Sequence, residues 1–234
     1  MFEYAGAAGR NRPQRIWDAL HDNPSAVLLA VQLSAVLLYP FTTSGGLGRT
    51  FVSILGLAVL VLAVAAVRRT PATTWIAWVL GVPVFVLTIA EAVAPGNGTI
   101  ELTSAIAHSC FYFFTGISLL RYMFADIWVS RDELFATAAC FTVLAWAWAY
   151  THDVVQLLWP GSYVSAWHDG ALSWNELLFL SFTTLTNTGL SDISVGAEAN
   201  QARAVLMLQM MMGIFYVGLV VARLLGLTMI KFRR

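Results

Sequence analysis

The sequence predicts an all-α membrane protein of six transmembrane helices, with a shorter helix and a polar loop set between the fifth and the sixth. Three observations predict it. Of the 234 residues, 59% are hydrophobic and 11% charged, and the mean hydropathy is +0.72, outside the range of an ordinary soluble domain. The apolar residues gather in six runs near the ~20 residues that cross ~30 Å of hydrocarbon, without the strict alternation of membrane barrel strands. Finally, a polar stretch, "NTGLSDIS" at 187–194, follows an apolar segment too short to span.

The first 23 residues carry Arg10, Arg12 and Arg15 but no apolar run ending in a small-residue cleavage site, so no cleaved signal peptide is expected. "RPQRIWDALHD" sets Ile16, Trp17 and Leu20 against Arg12, Arg15 and Asp18, which suits a short helix lying on a membrane surface or a solvated tail. The first span runs from about Ala26 to Phe41, after the start signal Asn23-Pro24. The second covers Leu47 to Val67 and stops at Arg68-Arg69, and the third covers Thr74 to Val93 before the turn "APGNGT". The fourth covers Thr103 to Phe124, the fifth Glu133 to Leu158, and the sixth Arg203 to Ile230. These divide the chain into an N-terminal segment (1–23), a four-helix domain (24–131) and a C-terminal unit (132–234).

The basic residues set the orientation. With a cytoplasmic N-terminus, eleven of the thirteen Lys and Arg lie on or near the inner side and only Arg49 and Arg203 fall outside, as the positive-inside rule requires. Both termini are therefore expected in the cytoplasm of a multi-pass protein in the cell membrane. Lys plus Arg balance Asp plus Glu at thirteen each, so no global charge points to nucleic acid.

The connection between the fifth and sixth spans, about Trp159 to Gln201, is far longer than the others. Within it "SWNELLFLSFTTLT" (173–186) has the length of a re-entrant helix, with Ser173 as N-cap and Glu176 completing a capping box. The irregular polar segment that follows is tolerated at membrane depth only where protein surrounds it or it lines water. Carbonyls and hydroxyls there can replace an ion's hydration shell, and the negative end of the helix dipole near Thr186 favours a cation. One loop cannot encircle an ion, so closure calls for a homotetramer with fourfold symmetry.

At these residues the sequence resembles the tetrameric potassium channel superfamily. "SFTTLTNTGLSD" is similar to the pore signature SFTTLTTVGYGD, matching at Ser181, Phe182, Thr183, Thr184, Leu185, Thr186, Gly189 and Asp192. The last span, "RAVLMLQMMMGIFYVGLVVARLL", resembles the inner helix of simple bacterial members, with Arg203, Gly213 and Gly218 in matching places. The resemblance covers about 133–230. It implies a selectivity filter at Thr186, Asn187, Thr188, Gly189, Leu190 and Ser191, an outer mouth at Asp192, and an inner-helix hinge or gate at Gly213, Gly218 and Phe215. Three positions depart from the pattern: Asn187 replaces a Thr, Leu190 a Tyr, and Ser191 a Gly that the family holds at φ > 0. The single glycine also resembles the filter repeats of the Trk/Ktr potassium-uptake family.

The expected function is passive conduction of a monovalent cation, potassium first, with no cofactor. Nothing resembles a nucleotide site, so neither enzyme nor pump is implied. A weakly selective channel and a nonconducting sensor or accessory subunit are the rival readings. The fourth span has Arg121 alone in place of an arginine ladder, so no steep voltage dependence is expected. His108, inside that span, is a functional candidate or a hydrogen-bonded helix contact. His152, Asp153, His168 and Asp169 are weighed as a metal or pH site, Met207, Met210, Met211 and Met212 as helix packing or cavity lining, and Cys110 and Cys140 as small core residues. Asn97 opens an NGT triplet that matches a glycosylation acceptor.

Overall fold

The computed structural model describes residues 23–38, 74–124, 131–189 and 192–232. The expected surface helix, the second span, and filter positions Leu190 and Ser191 lie outside the described residues. Within them are α1 (Pro24–Leu38), α2 (Thr74–Val93), α3 (Gly98–Met123), α4 (Arg131–Leu158), β1 (Tyr163–Ser165), α5 (Trp174–Leu185), β2 (Ile193–Val195) and α6 (Asn200–Phe232). Among the described residues, four stretches of helix are long and apolar enough to cross a membrane: Trp75–Val93, Gly98–Met123, Asp132–Leu158 and Asn200–Arg223. Helix α1 is apolar but shorter. The chain is thus mostly helical, as expected of an all-α membrane protein.

Helix α4 is the hub. It packs on α1, α3, α5 and α6, and its interface with α3 is the most extensive among the described elements. Its sequence explains this: Ala136, Ala139, Ala145, Ala147 and Ala149 are buried, and small side chains let helices approach closely without help from the hydrophobic effect. Gly116 of α3 serves the same contact, since a Cβ there would come 2.7 Å from Leu144 Cδ2. Between these small residues sit large rings. Tyr112, Trp146, Tyr150 and Trp174 join α3, α4 and α5, with Tyr150 and Trp174 centred 4.1 Å apart.

Helix starts follow local chemistry. Asn97 is the N-cap of α3, its side-chain oxygen accepting from the backbone N–H groups of Thr99 and Ile100. The NGT asparagine therefore has a structural task, and α3 begins at Gly98, ahead of the expected Thr103. Ser25, in the first turn of α1, donates from its backbone N–H and its hydroxyl to the two oxygens of Asp132, each at 3.0 Å. Tyr122 Oη donates to the same carboxylate at 3.0 Å. Asp132 thus joins the ends of α1, α3 and α4.

Helix α6 runs antiparallel to α4 and is tied to it at four levels. His152 meets Gln209 at 2.7 Å, Trp148 Nε1 donates to Met212 Sδ at 3.1 Å, Tyr216 Oη donates to Thr137 O at 2.5 Å, and Arg223 pairs with Glu133 at 3.0 Å. Much of the rest of α6 is apolar and exposed, Met207, Met211, Ile214, Phe215, Val217 and Leu219 among it. Of the four clustered methionines, Met212 packs against the core that α4 centres.

The long connection contains a feature the sequence did not announce. Strands β1 and β2 pair antiparallel, with Tyr163 opposite Val195 and Ser165 opposite Ile193. Beneath this ribbon Val155, Tyr163, Leu172, Leu177, Leu180, Ile193, Ala199 and Ala202 form a second small core, which holds α5 against the adjoining ends of α4 and α6.

Candidate functional site: a capped short helix ending in an exposed polar turn

Helix α5 begins as its sequence dictates. Ser173 Oγ accepts from the Glu176 N–H, and the Glu176 carboxylate accepts from the Ser173 N–H at 2.8 Å and hydroxyl at 2.7 Å, so both halves of the capping box are formed. Twelve residues later the helix closes in a Schellman turn. Asn187 N donates to Thr184 O and Thr188 N to Thr183 O, each at 3.0 Å, and Asn187 occupies the left-handed C′ position at φ 56. Asparagine is among the few non-glycine residues that enter this region readily. Gly189 also takes a positive φ, 66°. Thr186, Asn187, Thr188 and Gly189 are all exposed, whereas Leu177, Leu178, Leu180, Ser181, Thr183, Thr184 and Leu185 are buried. The sequence anticipated the helix and the polar turn, but it did not reveal the left-handed residue that shapes the turn.

The turn's polar groups are partly committed. Thr186 Oγ1 donates to Phe182 O at 2.8 Å and lies 3.1 Å from Thr188 Oγ1, so these hydroxyls turn toward the helix end and keep lone pairs for a ligand. Asn187 Nδ2 donates to Met210 O of α6 at 3.3 Å, leaving its Oδ1 to accept. Gly213 lies directly beneath: a Cβ there would sit inside the van der Waals shell of the Leu185 carbonyl oxygen and 2.9 Å from the Leu185 carbonyl carbon. Gly213 therefore permits a backbone-to-backbone contact between α6 and the end of α5. Gly218 has nothing within 4 Å of such a Cβ, and Phe215 is 69% exposed.

The backbone at residue 187 yields a prediction. Asn187→Thr places a β-branched residue in the left-handed region, at a cost of about 1–2 kcal/mol, and removes the donor to Met210. Asn187→Gly loses the donor alone. Thermal unfolding of the solubilised protein should rank wild type above Gly and Gly above Thr; a Thr variant as stable as wild type would contradict the left-handed assignment.

Just past the turn, the Asp192 carboxylate accepts from Trp167 Nε1 at 2.6 Å and its carbonyl from Ala166 N at 2.9 Å. The predicted mouth residue is thus held by the loop after β1, through a tryptophan that is itself 79% exposed. Among the described residues this end of the bundle also carries Glu91, Glu101, Asp153, Asp169, Glu176 and Glu198. Arg203 there donates to Gly196 O and Ala197 O at 3.0 and 3.1 Å. Carboxylates in such excess create a negative potential.

The four residues weighed together as a metal or pH site are not brought together. His152 is fully buried between Tyr163 and Gln209. His168 is exposed and bonds the capping-box Glu176 at 2.8 Å. No group of three or more His, Cys, Asp or Glu among the described residues is arranged to hold a metal ion. His108 is a helix contact, set between Ser104 and Thr88 and stacked on Tyr150 at 4.4 Å. Cys140 is buried and Cys110 exposed, both free.

The His168 contact makes the α5 cap depend on pH. Its bond to Glu176, with the Asp169 carbonyl second, raises the His168 pKa above the usual histidine value. For Glu176, partial burial pushes upward, but the bonds from Ser173, His168 and Ser165 outweigh it and lower the pKa. A raised histidine contributes stability that is present below its unfolded pKa and lost as pH rises through the folded one. A lowered carboxylate contributes above its unfolded pKa and loses it as pH falls through the folded one. The pair is therefore strongest between the two, and a small fall in Tm is expected from pH 6 to pH 8.5. His168→Gln should flatten that slope; an unchanged slope would contradict the pairing.

Sequence reasoning missed Tyr163 and Gln209, which flank His152, and the Glu133–Arg223 pair. A signal existed for each set. Gln209 interrupts "LMLQMMM" inside a span, where a polar side chain needs a partner, and Glu133 and Arg223 fall at the same end of two adjacent antiparallel spans.

The site thus consists of a long helix, a short capped helix that ends in an exposed polar turn, and a second long helix. Residues 138–229 match a protein family described as "Ion channel", a stretch that begins within α4, contains α5 and the turn, and ends within α6. This part of the chain is similar to ion channels. No curated protein and no solved structure matches the chain.

Proposed function

We propose that the chain is the pore-forming subunit of a passive cation channel that conducts potassium, built from four copies around a common axis. The observation that carries this reading is the turn Thr186–Gly189, polar and exposed at the C-terminal end of α5, whose dipole favours a cation in front of it. Four such turns about an axis surround one path. Thr186, Asn187, Thr188, Gly189, Leu190 and Ser191 form the filter, Asp192 the outer mouth, and the apolar, exposed surface of α6 faces neighbouring copies and lipid. Residues 132–234 are the pore domain, 24–131 a four-helix domain without an arginine ladder, and 1–23 a cytoplasmic segment. In the cell membrane both termini face the cytoplasm, with the ribbon outside. No cofactor or catalytic step is involved.

A weakly selective monovalent cation channel is the second reading, and the amide of Asn187 in place of a threonine hydroxyl favours it. Potassium and sodium flux into liposomes carrying the purified protein separates the two. Faster potassium flux is expected, and equal rates would sink the potassium-selective reading.

A further inference from the structure

A buried polar network lies between α4, α5, α6 and β1, and its centre is His152. His152 and Gln209 are 0% exposed, as is Ser181. Gln209 Nε2 donates to Ser181 O and Ser181 Oγ, both at 2.8 Å, and Ser181 Oγ donates to Ala145 O at 2.6 Å. With its two protons so placed, Gln209 meets His152 Nε2 through Oε1, at 2.7 Å, as an acceptor. The imidazole must then carry its proton on Nε2, and Nδ1 accepts from Tyr163 Oη at 2.7 Å. Every polar atom of the chain Tyr163, His152, Gln209 and Ser181 has a partner of the right kind. A buried network satisfied in this way rigidifies what it joins.

What it joins is specific. Ser181 lies in α5, five residues before the turn begins. Tyr163 lies in β1 opposite Val195 of β2, three residues after Asp192, where the loop leaves the turn. The entry and the exit of the segment 186–192 are therefore both anchored, through one side chain each, on the same imidazole of α4. Resting on the reading of that segment as an ion filter, we infer that His152 is its positioning residue: a neutral imidazole that sets the spacing between the two ends of the filter and so its selectivity. Gln209 and Tyr163 act through it. The role requires a group that donates on one side and accepts on the other, which glutamine can supply and leucine cannot.

The test uses the full chain in lipid nanodiscs and does not depend on conduction. Amide hydrogen exchange over 186–195 is expected to rise about tenfold in Tyr163→Phe, Gln209→Leu and His152→Leu, the change that losing a buried hydrogen bond brings to a local opening equilibrium. Exchange in α3 should stay unchanged, and His152→Gln should keep most of the protection. Tyr163→Phe removes a single oxygen, so it serves even where His152→Leu fails to fold. Wild-type exchange over 186–195 in both Tyr163→Phe and Gln209→Leu, or a His152→Leu variant as protected as His152→Gln, overturns the inference. Parallel flux measurements should give a smaller potassium-to-sodium ratio in Tyr163→Phe than in wild type. If wild type carries no cation while the exchange pattern holds, the channel reading falls and the positioning of the loop stands.

Discussion

Gly213→Ala is expected to abolish or strongly reduce selective cation flux while leaving α1, α2 and α3 folded. The added methyl has no space: the Leu185 carbonyl occupies it, and Asn187 Nδ2 lies 3.3 Å away. Backbone cannot move aside as a flexible side chain does, so α6 must shift relative to the end of α5. Overpacking of this kind costs about 1–3 kcal/mol in a well-packed interior, and here the displaced group is the peptide that opens the turn. Because Asn187 also donates to Met210 O, the shift strains the turn from two sides. Gly218→Ala is the control, since a methyl there meets nothing. The two variants separate two uses of glycine in α6. If Gly213 served only as a hinge, its alanine variant would change how often the pore opens and leave the potassium-to-sodium ratio intact. The contact with Leu185 predicts a changed ratio.

The second large effect lies at the opposite end of α6. Glu133 and Arg223 are 7% and 11% exposed and 3.0 Å apart, and the Arg223 guanidinium lies 5.0 Å from the centre of the Phe124 ring. Removing one member leaves a buried charge facing its former partner's site, a change that costs ~3–5 kcal/mol in buried pairs. Arg223→Leu and Glu133→Leu should each lower the Tm substantially. The double variant should lose less than the sum of the two, and strict additivity would show that the pair is not coupled. Next to Glu133, Asp132 holds Ser25 of α1 and Tyr122 of α3. The Arg223 turn of α6 is thereby fastened to α4's first turn, and that turn to α1 and α3. Breaking the pair should alter the fraction of open channels without altering selectivity, the reverse of the Gly213 result.

Much of this arrangement was legible in the sequence where local chemistry decides structure. The capping box at Ser173 and Glu176, the extent of the third span from Thr74 to Val93, and the short length of α5 follow from spacing and residue type alone. The ribbon did not, because strands of three residues are too short for an alternating pattern to stand out. Asn187 was noticed as a departure from a filter pattern, yet its left-handed backbone comes from the Schellman turn, which depends on where α5 ends. Gly213 illustrates a different limit. A glycine within an apolar helix serves equally as bend, gap or contact, and only the position of the Leu185 carbonyl separates them. Likewise His152 and His168, weighed together as one site, point into different environments because α4 carries the first into the protein and the loop leaves the second at the surface.

The central claim, that the turn at Thr186–Gly189 lines a cation path in a four-copy assembly, is tested most directly by the reversal potential of the purified protein in a planar bilayer with potassium on one side and sodium on the other. A measurable current with a reversal potential displaced toward that of potassium is the result expected. A tetramer that carries no current across a range of pH, voltage and divalent cation would contradict the claim and make the chain a nonconducting membrane subunit.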